Sequence, residues 1–130
     1  MRVIERCIDD AAYSVWATLT LLDKGANVCL GGGQSHVGAI VLALPRESLL
    51  DNGSISCTTS VINVLGHKDD LVALPVAEKL CRELDMPVTV TAGIHIDKAT
   101  AADIERLQKN VLYLAQLLCN DLRDIWPAGK

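Results

Sequence analysis

The stretch Val88-Thr89-Val90-Thr91-Ala92-Gly93-Ile94-His95-Ile96-Asp97 keeps a period of two from end to end. Strand side chains point to opposite faces in turn, so Val88, Val90, Ala92, Ile94 and Ile96 share one face. Thr89, Thr91, Gly93, His95 and Asp97 share the other. The flanks change period. Before it, Asp69 to Leu84 reads as a helix, with Ala77, Leu80, Cys81 and Leu84 at helical spacing. Pro75 would either kink that helix or sit in the first turn of its main segment, where its missing donor costs nothing. Asp85-Met86-Pro87 breaks it. After the strand, Thr100 is a good N-cap with Asp103 three residues on, close to a capping box. Ile104, Leu107, Val111, Leu114 and Leu118 form the apolar stripe of a last helix.

Working back toward the start, the first half reads as strands. Val3 to Ile8 and Tyr13 to Leu22 flank a turn at Asp9-Asp10. Lys24 to Asn27 makes the next turn. Val28 to Leu30 is a short third strand that ends at Gly31-Gly32-Gly33. His36 to Leu44 is almost entirely apolar, as a central strand should be, and Pro45 ends it. Ser48 to Gly53 is a loop, and Ser54 to Val64 a fifth strand. The order is ββββ(β)αβα. Adjacent strands imply a mainly antiparallel sheet, so the expected fold is α+β: about five or six strands with two helices packed on one face.

The chain has 130 residues, which fits a single domain over 1–130. Its 12 Lys and Arg are outnumbered by 16 Asp and Glu, for a net charge of −4, and form no basic run. Nucleic-acid binding is not expected. The longest apolar run, Val37 to Pro45, is far short of the roughly 20 residues of a membrane helix, and the first residues hold no apolar signal core. The five cysteines are widely spaced and contain no Cys-x-x-Cys pair. A disulfide framework or cysteine zinc site is not expected, which suits the cytoplasm. Half the residues are hydrophobic, much for a small domain, and a second copy of the chain would cover the surplus.

The three histidines each stand near glycine at an element boundary: Gly31-Gly32-Gly33-Gln34-Ser35-His36, Gly66-His67-Lys68-Asp69-Asp70 and Gly93-Ile94-His95-Ile96-Asp97. Glycine there permits a sharp turn or a close approach. Histidine and aspartate are common donors to divalent metals, and His95 and Asp97 lie two apart on one face. His67, Asp69 and Asp70 stand at a strand-to-helix passage, where free N–H groups favour phosphate. The bland alternatives are hydrogen-bonded structural histidines and aspartates that serve as helix-start or turn charges. Ser54, Ser56, Thr58 and Ser60 also alternate along the fifth strand. They suit a solvated sheet face or a polar groove equally.

At the segments Gly31 to Ile40, Gly66 to Asp70 and Ala92 to Asp97 the chain resembles the prenylated-flavin chaperone family typified by the D subunit of gallate decarboxylase. The resemblance runs from about residue 10 to residue 118. That family is related in fold to proteasome assembly chaperones. The resemblance implies a non-catalytic helper, often dimeric, that holds prenylated flavin mononucleotide (FMN) and serves a UbiD-type decarboxylase. Carried onto this sequence, it makes Gly32, Gly33, Ser35, His36, Gly66, His67, Lys68 and Gly93 candidates for binding prenylated FMN or FMN. His36, His67, Asp69, Asp70, His95 and Asp97 become candidates for a divalent metal. Two other functions fit the same residues: a metal-dependent hydrolase or decarboxylase subunit, and an assembly chaperone that docks a larger complex.

Overall fold

The computed structural model describes residues 1–50, 52–64 and 69–125. Strand β1 (Arg2–Ile8) leads through a single 3-10 turn, Ala11–Tyr13, into β2 (Val15–Leu22). Then follow β3 (Gly25–Gly33), β4 (Ala39–Glu47), β5 (Ile55–Asn63), α1 (Asp70–Leu84), β6 (Val88–His95) and α2 (Ala101–Ile125). The six strands form one sheet in the order β1-β2-β3-β6-β4-β5. Every neighbouring pair is antiparallel except β3 with β6, which is parallel.

The strand between the two helices thus inserts at the middle of the sheet. It joins the meander β1-β2-β3 to the hairpin β4-β5. Val88, Val90 and Ala92 on its apolar face are buried. They meet Val15, Ala17 and Leu19 of β2, Val28 and Leu30 of β3, and Val41 and Ala43 of β4 beneath the helices. Helix α1 lies on β4, β5 and β6, and α2 on β1 and β2. Leu80 of α1 and Leu114 and Leu118 of α2 are each almost fully buried. Each such leucine contributes roughly 2 kcal/mol.

Several expected boundaries move. Tyr13 belongs to the 3-10 turn, since its backbone N–H donates to the Asp10 carbonyl. Strand β3 runs through Gly31 and Gly32 before ending at Gly33; Gly31 and Gly32 pair with Trp16 and Val15 on one side, and all three glycines with Gly93, Ile94 and His95 on the other. His36 lies outside β4. Pro45 lies inside it, opposite Cys57. The pairing of β4 with β6 reaches only Ala43, so Pro45 has one open side, the position in which a sheet tolerates proline. Pro75 is in the interior of α1 and exposed, so that helix continues past it with one backbone hydrogen bond fewer. The capping box forms: the Asp103 N–H donates to Thr100 Oγ1, and the Thr100 N–H to Asp103 Oδ2.

Among the described residues no helix covers the second face of the sheet. Ile40, Leu42, Leu44 and Ile62 are exposed on it, beside Ser60, Thr89 and Thr91. All five cysteines are free. Cys81 and Cys119 are buried, whereas Cys7 and Cys29 are exposed. Among the described residues no helix is long and apolar enough to cross a membrane.

Candidate functional site

The sheet opens at one end, and that opening shapes the site. Strands β4 and β6 pair up to Ala39 and Ala92, and the Gly38 N–H still donates to the Ala92 carbonyl. Beyond that point the Ile94 N–H is met by a side chain: Asp69 Oδ1 accepts it at 2.9 Å. Asp69 stands just before α1 and is the one buried charged residue among those described. A carboxylate is buried at low cost only when its oxygens are satisfied. Its second oxygen, Oδ2, accepts from His36 Nε2 at 2.9 Å.

His36 comes from the connection between β3 and β4. Its Nδ1 also donates, to the Gln34 carbonyl at 3.0 Å. With an acceptor facing each ring nitrogen, the site favours the imidazolium form. The Gln34 carbonyl is the largest influence and raises the His36 pKa above 6.5. Partial burial works against the rise, and the hydrogen bond and charge of Asp69 add to it.

Glycine lets this connection lie flat on the sheet. A Cβ on Gly93 would collide with the His36 carbonyl oxygen, and one on Gly38 with Asp69 Oδ2. No larger residue fits either position without moving backbone or carboxylate. The Gln34 N–H donates to the His95 carbonyl at 3.0 Å, and Ser35 Oγ accepts from Trp16 Nε1 at 3.3 Å.

His95 closes β6 and is exposed. Its Nε2 lies 2.9 Å from Asp97 Oδ1, and its ring centroid lies 6.4 Å from that of His36, with the planes at 74°. Next to it is a cleft of about 280 Å³ between the start of α1, the end of β6 and the start of α2. Aliphatic Leu71, Val72, Ile94, Ile96, Ile104 and Leu107 make its wall; Asp69, His95 and Gln108 add polar groups.

Of the residues expected at the site, His36, Asp69, Gly93, His95 and Asp97 come together here. Gly33 pairs with His95 and holds a left-handed φ of 57°, and Ser35 lies in the same connection. Gly32 packs against Ser14, Val15 and Ile94. Asp70 opens α1, where a negative charge suits the helix N-terminus. Gly66, His67 and Lys68 lie outside the described residues. Among the described residues no group of three or more His, Cys, Asp or Glu side chains is placed to hold a metal ion. Asp69 is engaged with His36, and Asp97 with His95. The cleft wall escaped the sequence reading. Ile104 was expected in the buried stripe of α2, yet it is 44% exposed because it borders the cleft.

A search of curated proteins gives no significant match. One solved structure, a chaperone complex for yeast 20S proteasome assembly, aligns with a TM-score of 0.59 at 19% identity, covering 95% of each chain. At that identity the likeness is one of fold. A family model described as the prenylated flavin chaperone LpdD-like domain matches residues 9–123, nearly the whole chain. This protein therefore belongs to the prenylated flavin chaperone LpdD-like family.

Proposed function

We propose that the chain is a non-catalytic carrier that holds prenylated FMN at the His36–His95 end of the sheet and hands it to a UbiD-type decarboxylase. The observation that carries this reading is the joining of an aliphatic cleft to a polar rim. The cofactor's ring system needs an apolar wall, and its heteroatoms and phosphate need donors. Exposed His95 is one donor. Gly66, His67 and Lys68 lie just ahead of Asp69 and α1 in sequence, and a helix N-terminus favours a phosphate. Gly32, Gly33, Ser35 and Gly93 keep the connection above the sheet thin enough for a ligand to reach it.

A bridging divalent cation would draw on His67, Asp70, His95 and Asp97, the members of the expected set outside the His36–Asp69 pair. The uncovered sheet face, with exposed Ile40, Leu42, Leu44 and Ile62, supports a homodimer. Both belong to the proposal.

The test is an anaerobic titration of the full chain with prenylated FMN, followed by absorbance, together with mass analysis of protein co-expressed with a flavin prenyltransferase. Saturation at one cofactor per chain is expected. A chain that takes up none contradicts the reading. In the presence of EDTA, a loss of at least about tenfold in affinity supports the bridging cation; unchanged affinity removes it. Sedimentation at micromolar concentration tests the dimer.

A further inference from the structure

The cleft is wholly aliphatic where it is apolar. Among the described residues Leu71, Val72, Ile94, Ile96, Ile104 and Leu107 form its apolar wall, with no Trp or Tyr among them and the His95 imidazole as the one ring at its edge. A flat isoalloxazine gains most from stacking on aromatic faces. A compact, branched aliphatic group gains most from aliphatic walls at van der Waals distance. Prenylation adds such a group to FMN: five carbons closed into a fourth ring that bears two methyls. A space of about 280 Å³ admits that ring but not the whole cofactor with its ribityl phosphate. A second groove of about 230 Å³, lined by Leu71, Val72, Pro75, Gln108, Val111 and Leu112, continues between α1 and α2.

Building on the proposed carrier role, we infer that this cleft is the specificity pocket for the prenyl-derived ring. It is the part of the protein that separates prenylated FMN from ordinary FMN. His95 stands at its mouth, where the polar part of the cofactor emerges, and Gln108 offers an amide from the α2 side. Such discrimination would serve a carrier that must take prenylated FMN and leave FMN.

Each methylene buried multiplies affinity roughly fourfold. Covering the surface of roughly three to four of the added carbons therefore yields about a hundredfold preference. The experiment is a pair of anaerobic titrations, with FMN and with prenylated FMN, on the full-length chain and on two variants. Ala99→Phe fills the cleft, and Ile104→Ser strips part of its wall. Both positions are exposed, so the fold is retained, and far-ultraviolet circular dichroism checks this.

The expected result is a preference of about a hundredfold for prenylated FMN in the parent. That preference should fall at least about tenfold in each variant, with the larger loss of affinity on prenylated FMN and the smaller on FMN. Equal affinity for the two flavins in the parent overturns the pocket while leaving the carrier reading in place. Undiminished preference in both variants overturns it as well. If the parent binds neither flavin, the carrier reading fails and the pocket falls with it.

Discussion

Two polar clusters tie the helices to the sheet, and they differ in what they surround. At one, Asp10 receives Arg106 and Asn110 from α2, the Arg106 guanidinium lies 4.5 Å over the Tyr13 ring, and Tyr13 Oη donates to Asp103. At the other, Asp69 receives His36 and the Ile94 N–H. The first cluster joins side chains on the surface and fastens the Ala11–Tyr13 turn to the first half of α2. The second substitutes a buried carboxylate for a missing strand, beside the cleft. Surface ion pairs contribute little, whereas a buried carboxylate that satisfies a backbone donor is costly to lose. The first cluster is therefore a fastening, and the second holds a site open.

The largest effect should come from Gly93→Ala. The new methyl meets the His36 backbone, so the connection from Gln34 to Gly38 must lift. A loss of about 3 kcal/mol in urea unfolding is expected, together with loss of flavin binding. A variant as stable as the parent would show that the connection is not held against the sheet.

Asp69→Ala follows, at about 2 kcal/mol, because the Ile94 N–H loses its acceptor and the His36 imidazolium its partner. Asp69→Asn, which keeps one acceptor oxygen, should cost less. Equal losses in the two would mean that charge, not hydrogen bonding, carries the cluster.

The pH dependence is smaller and has a definite sign. The folded pKa of His36 is raised, so the folded state binds its proton more tightly than the unfolded chain does. That contribution is fully present below the unfolded value near 6.5 and is lost as pH rises through the raised folded value. Urea midpoints measured from about pH 6 to about pH 9 should decline in the parent, and the slope should flatten in His36→Gln. A parent slope identical to that of the variant would remove the imidazolium from the account.

The smallest effect separates the clusters. Arg106→Ala should lower the melting temperature slightly and leave flavin affinity unchanged. A drop in affinity comparable to that of Gly93→Ala would erase the distinction between fastening and site.

Much of this was legible in the chain. The unbroken alternation from Val88 announced β6, the Thr100–Asp103 box announced α2, and the resemblance of the glycine-histidine segments pointed to the family that residues 9–123 match. Hydropathy could not reveal that β6 inserts between β3 and β4, because strand order is set by long-range pairing. Nor could propensity show that Gly31 to Gly33 stay in a strand. Glycine weakens strands on average, but here Trp16 packs over Gly31 and leaves no room for a side chain. The cleft was illegible for a related reason. Leu71, Ile104 and Leu107 have the spacing of ordinary core residues, and only the packing shows which of them face a space.

The most direct test of the central claim is to map where prenylated FMN binds. Backbone amide shifts should be recorded on isotope-labelled protein as the cofactor is added anaerobically. The account predicts that the amides of Leu71, Val72, Ile94, His95, Ile96 and Gln108 move together and saturate, while Arg106 and Asn110 at the other cluster stay in place. Shifts concentrated instead on Ile40, Leu42, Thr89 and Thr91 of the uncovered sheet face would contradict it.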